Sequence, residues 1–167
     1  WHFSVQVGKS IVAVRAADII RIFQIVQKRR EMAADQIHAL ARGNLCTALL
    51  HAAAFEPGMG KISLINPLLS YRSIVMHKFY QPQVIEAAVP GSITTYDLPD
   101  VAACIAPRTL WMINVLDHQM KPASEHQINQ TYRFARKVYQ SENAQANFVV
   151  KTWDRYQLFG DILNGWL

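Results

Sequence analysis

At 167 residues the chain has the length of one domain with room for a real hydrophobic core. Its 51% hydrophobic and 17% charged composition excludes a disordered polymer, and no apolar run reaches the roughly 18 residues of a membrane span. The net charge of +5 leaves an anionic partner open, but the basic residues are scattered except for Lys28-Arg29-Arg30, where cations suit a helix C-terminus, so no nucleic acid is expected.

Along the chain, Trp1 to Val7 alternates weakly and suggests an extended entry segment. A helix is predicted from about Ser10 to Arg30, with Ile11, Val14, Ile19, Ile22, Phe23 and Val26 on its apolar face. Glu31 to Ala34 connects it to a strand at Gln36 to Leu40, a sharp turn at Ala41 to Gly43, and a helix from Asn44, its N-cap, through Phe55. Glu56-Pro57-Gly58-Met59-Gly60 is a stop, and Lys61 to Asn66 a second strand. Residues 67–90 form an irregular insert. A helix from Leu98 to Ile105 ends before Pro107, and Thr109 to Asn114 is a third strand leading to a loop with Asp117 and His118. A long helix over Ala123 to Tyr139, a strand at Asn147 to Lys151 and a closing helix from Tyr156 to Leu167 complete the series. Helices alternate with continuous apolar strands, the pattern of an α/β fold with a parallel sheet covered by helices on both faces.

The cysteines, Cys46 and Cys104, each fall in a predicted apolar helix and are expected to be buried free thiols. No Cys/His spacing suggests a metal site, and nothing suggests a cofactor. His38, His51, His77, His118 and His126 have no partner at diagnostic spacing. Ser70 and Ser73 suit a turn, and Tyr71, Phe79, Tyr80 and Tyr96 could line a sugar-binding cleft or anchor loops.

Two stretches carry a family resemblance. His38-Ala39-Leu40-Ala41-Arg42-Gly43-Asn44 has the small-residue turn of a nucleophile elbow, and Val89 to Arg108, with Pro90-Gly91, Tyr96-Asp97-Leu98-Pro99-Asp100 and Ala106-Pro107-Arg108, is similar to the segment before the acid-bearing strand. The chain from about Gly8 onward thus resembles the C-terminal half of the α/β-hydrolase superfamily, in particular bacterial acetyl-xylan-esterase-like and dienelactone-hydrolase-like proteins. The resemblance implies a triad acid at Asp117, a loop aspartate that equally suits capping the next helix or bonding its own turn, and a nucleophile position at Ala41, where the pattern G-x-S-x-G would place serine. The histidine belongs after the last strand, where Thr152-Trp153-Asp154-Arg155 has none.

The expectation is a single or partial domain over 1–167 whose first strands are missing, so that the upstream half of the same fold is its partner and covers an exposed sheet edge. With serine and histidine absent, it is expected to be a pseudoenzyme that binds a carbohydrate or ester ligand or supports a neighbour. The alternatives are a serine-type esterase completed by residues elsewhere, and a basic module for anionic polymers. The sequence opens on Trp1 with no signal-peptide pattern, which leaves the compartment open, secreted or periplasmic if an export signal stands upstream.

Overall fold

The structure, a computed structural model, describes residues 2–29 and 37–153. In chain order its regular elements are α1 (His2–Gln6), α2 (Ile11–Gln27), β1 (Ala39–Arg42), α3 (Leu45–Phe55), β2 (Ile62–Ile65) and α4 (Tyr71–Val75). They continue with α5 (Leu98–Ala103), β3 (Leu110–Ile113), α6 (Glu125–Thr131), α7 (Arg133–Ser141) and β4 (Phe148–Lys151). The strands form one sheet in the order β1-β2-β3-β4, every pair parallel. Spatial order follows chain order, each crossover stepping the chain one strand further in the same direction. The expected class holds: a parallel sheet with helices packed around it.

Register places Ala41 beside Leu64, Leu64 beside Met112 and Met112 beside Val150. Side chains alternate along a strand, so these residues share a face. There Ala41, Ile62, Leu64, Leu110 and Met112 are buried in one core with α3, α5 and α7. On the opposite face Ile65 and Ile113 pack with Leu40, Trp111 and Trp153. The strands lack polar alternation because both faces are used.

Several expected elements change. The extended entry is a short helix, α1, ended at Gly8, whose φ of 68° only glycine adopts readily. An extended segment would have needed a sheet neighbour for its backbone groups; a helical turn supplies them locally, as in Lys9 N–H to the Ser4 carbonyl at 2.8 Å. Helix α2 buries Val12, Ala16 and Phe23, and leaves Val14 and Ile22, both expected inside, exposed. The long helix over 123–139 is two helices that break at Tyr132, where ψ is 14°. Tertiary anchoring overrides helix continuity there: the Tyr132 ring is fully buried, and its hydroxyl donates to the Leu69 carbonyl at 2.9 Å. The insert at 67–90 contains α4 and a 3-10 turn at Pro82–Ala87. The expected closing helix, Tyr156 to Leu167, lies outside the described residues, as does Glu31 to Ala34.

Candidate functional site

In a parallel sheet, ligands dock beyond the carboxyl ends of the strands, and this end is built on a row of left-handed residues. Gly43, Asn66 and Asn114 directly follow β1, β2 and β3 with φ of 62°, 57° and 53°. Their amides cross to the next strand: Gly43 N–H to the Ile65 carbonyl at 2.8 Å, Asn66 to Ile113 at 2.8 Å, Asn114 to Lys151 at 2.9 Å. These three strands therefore end in the same way, and glycine and asparagine are the residues that tolerate such a φ. The Asn114 Oδ1 also accepts from the Trp153 amide at 2.7 Å, which fixes the exit of β4.

The sharp bend between strand and helix is present, but its apex is not Ala41. Ala41 is still in β1, paired with Leu64, its methyl buried in the core. Pairing with β2 extends β1 through Arg42, two residues past its expected end, so the chain turns at Gly43, the last residue of the expected turn. A Cβ built on Gly43 would meet nothing within 4 Å. The apex faces open space and carries only hydrogen.

Asp117 lies in the loop after β3, as expected, half-buried. Its Oδ1 accepts from the backbone amides of Gln119 at 2.8 Å and Lys121 at 3.0 Å, so the carboxylate holds its own turn. Among the described residues no hydrogen bond or ion pair joins Asp117 to the bend. His118, its neighbour, instead stacks on His77 of the insert, ring centroids 3.7 Å apart.

The other candidates are scattered. Cys46 is buried at the start of α3, its thiol 3.2 Å from the Ile65 carbonyl and 3.4 Å from that of Ala41. Burial raises its pKa to about 12, so the thiolate nucleophile is suppressed. Cys104, expected to be buried, is exposed at the end of α5 because that helix stops at Ala103. A disulfide-exchange dye such as DTNB at about pH 8 is therefore expected to label Cys104 within minutes and Cys46 only after denaturation. Two equally fast phases would contradict the burial.

His51 is buried on α3, with Nδ1 donating to the Thr47 carbonyl at 2.7 Å and Nε2 accepting from the Tyr96 hydroxyl at 3.1 Å. Burial lowers its pKa, keeping the ring neutral. His38 Nδ1 accepts from the Lys61 amide, and His126 stands on α6. Ser70 and Ser73 cap the start of α4 as turn residues. The four aromatic residues do not make one cleft: Tyr71 and Tyr96 pack edge to face beside His51, and Phe79 and Tyr80 are exposed. Among the described residues no cluster of three His, Cys, Asp or Glu side chains could hold a metal, and no helix is long and apolar enough to cross a membrane.

No protein-family model matches this sequence, and no curated protein matches it. A crystal structure from Bacteroides fragilis NCTC 9343, described as that of a "putative acetyl xylan esterase", superposes with a TM-score of 0.71 at 13% identity. The match takes in 95% of this chain and 40% of that one, so the chain spans well under half of its structural neighbour's length. The likeness is one of fold.

Within this esterase-like frame, the residues of Val89 to Arg108 turn out to be joints of the scaffold. The Asp97 carboxylate accepts from the amides of Tyr71 and Leu98 at 2.6 and 2.7 Å and of Arg72 at 3.1 Å, closing the start of α4 and α5 together. Arg108 reaches back to three carbonyls at and beyond the end of α3. Glu86, from the insert, accepts from the Asn44 amide group at 3.3 Å and lies 3.9 Å from Arg15. From the sequence alone Asp97 and Arg108 carried a resemblance but no role, and Glu86 neither. The signals were there: Asp97 and Asp100 at capping-box spacing, and a basic residue following a helix–Pro break.

Beside the bend, β1 is the edge strand of the sheet among the described residues. A parallel strand bonds alternate residues to each neighbour, so with Ala39 and Gly43 turned to β2, the backbone groups of Leu40 and Arg42 face outward. A groove of about 630 Å³ runs along this edge, with Ile19 and Ile22 of α2 on one wall and Leu40, Leu45 and Leu49 among the residues opposite.

Proposed function

We propose that this chain is a non-catalytic, esterase-like module that binds or supports and does not hydrolyse, with acetylated carbohydrate, the chemistry named for its structural neighbour, as the ligand class. The observation that carries the reading is the bend at Gly43. Where such a scaffold presents its attacking oxygen into open space, this chain has no side chain at all. The sequence after β4, residues 152–167, contains no histidine to act as the base. Loss of a nucleophile or its base costs several orders of magnitude in rate, and the acid alone does not substitute for either. The open edge of β1 and its apolar groove support the second half of the proposal: the upstream half of the same fold is the partner, adding strands beside Leu40 and Arg42.

The test is release of p-nitrophenol from its acetate ester. Neither the protein nor its Gly43→Ser variant is expected to exceed the rate without protein, since a serine at the apex would still lack an imidazole to deprotonate it. Turnover by the unaltered protein, abolished by Asp117→Ala, would establish an active esterase in its place. Turnover by Gly43→Ser alone would show that a base is present near the bend.

A further inference from the structure

The stacked pair His77–His118 is not used by any of this. His77 follows α4 in the insert, and His118 sits in the Asp117 loop, so the pair bridges two segments far apart in sequence. The rings are nearly parallel, 10° between planes and 3.7 Å between centroids. His77 Nδ1 lies 2.7 Å from the Ser73 carbonyl and donates to it, which fixes the ring on the insert side. At residues 76–81 one backbone bond reinforces the junction, the Gln81 amide donating to the His118 carbonyl at 2.9 Å; the start of the insert is tied separately, by Leu69 N–H to the Leu116 carbonyl and Leu116 N–H to the Pro67 carbonyl, both at 2.8 Å.

The geometry points to a pH-released clasp: the stacked imidazoles hold residues 76–81 of the insert against the Asp117 loop, and acidification lets them part. Histidine is the side chain whose charge changes between about pH 5 and 8. Two rings face to face tolerate one charge between them, but two like charges this close repel. Nothing acidic relieves that repulsion. Among the described residues neither ring is in an ion pair, and the Asp117 carboxylate is turned to the amides of Gln119 and Lys121. Of the other charged residues of these two segments, Arg72 and Lys78 on the insert and Lys121 on the loop are cations, and the insert's one carboxylate, Glu86, is engaged by Asn44 and Arg15 instead. Met76 and Phe79, on either side of His77, are already largely exposed, so little burial opposes release. Parting the clasp uncovers the Asp117 loop at the carboxyl end of the sheet, where a parallel sheet receives ligands.

Hydrogen exchange of the purified protein tests this, with the Gln81 amide as reporter and rates corrected for intrinsic exchange. From about pH 8 to about pH 5, its protection is expected to fall about tenfold, while the amides of β2 and β3 keep theirs. His118→Phe retains a flat ring to stack on His77 but cannot charge, and its Gln81 protection is expected to stay level. Equal protection at both pH values, an equal fall in His118→Phe, or a fall shared by β2 and β3 would each overturn the clasp.

Discussion

Asp97→Ala is expected to lower the free energy of unfolding by about 2–4 kcal/mol, far more than an ordinary half-exposed aspartate contributes. The carboxylate accepts from three backbone amides, those of Tyr71 and Leu98 at Oδ1 and of Arg72 at Oδ2. These amides open two helices, α4 and α5, and have no intrahelical partner of their own. A single cap of this kind is worth about 1 kcal/mol, and hydrogen bonds to a charged acceptor somewhat more. Water reaches the Arg72 side of the joint, so the sum falls short of three buried bonds. Asp97→Asn should recover about half of the loss, because one amide oxygen can still accept while its NH2 group faces a donor. Urea unfolding followed by circular dichroism measures both. A change within about 0.5 kcal/mol for Asp97→Ala would mean that the two helices are not joined through this residue.

The strands were legible because each is a short, continuous apolar run bounded by strong stops, such as Pro57-Gly58 before β2 and Pro107 before β3. The fold class followed from their alternation with helices. What was not legible was decided between elements. Where β1 ends depends on Arg42 finding Ile65 across the sheet, which nothing in β1 itself announces, although Gly43 was the residue best suited to a left-handed turn. The buried stripe of α2 shifted toward Val12 and Ala16, where the helix packs on the alanine-rich α3, and Ile22 was left at the edge groove. The break at Tyr132 answers to the carbonyl of Leu69, distant in sequence. As for the site, the sequence placed Asp117 in its loop, and the two readings of it, a triad acid or the anchor of its own turn, were both open. The structure supplies the hydrogen bonds of the second.

Arg108→Ala is the other large effect, about 2–4 kcal/mol, and it bears on the bend from a distance. The last carbonyls of a helix lack intrahelical partners, and α3 ends in a tight turn with Met59 buried beneath it. The Arg108 guanidinium donates to three oxygens at and beyond this helix end, those of Ala53 at 2.6 Å and of Glu56 and Met59, both at 3.1 Å. A cation there also complements the negative end of the α3 dipole. Burial lowers the pKa of Arg108, but a guanidinium stays charged through the working range, so the joint should hold from mildly acidic to alkaline pH. The Tyr139 hydroxyl donates to the Arg108 carbonyl at 3.0 Å, just before β3 begins, so the residue ties α7, β3 and the end of α3 together. Arg108→Lys should recover less than half, because one ammonium cannot span three diverging carbonyls as the planar fork does. Since α3 starts at the bend, loosening its far end should also raise exchange at the Cys46 amide, which donates to the Gly43 carbonyl at 3.0 Å. If Arg108→Lys proves as stable as the parent, charge alone is sufficient at this joint and the three directed bonds contribute little.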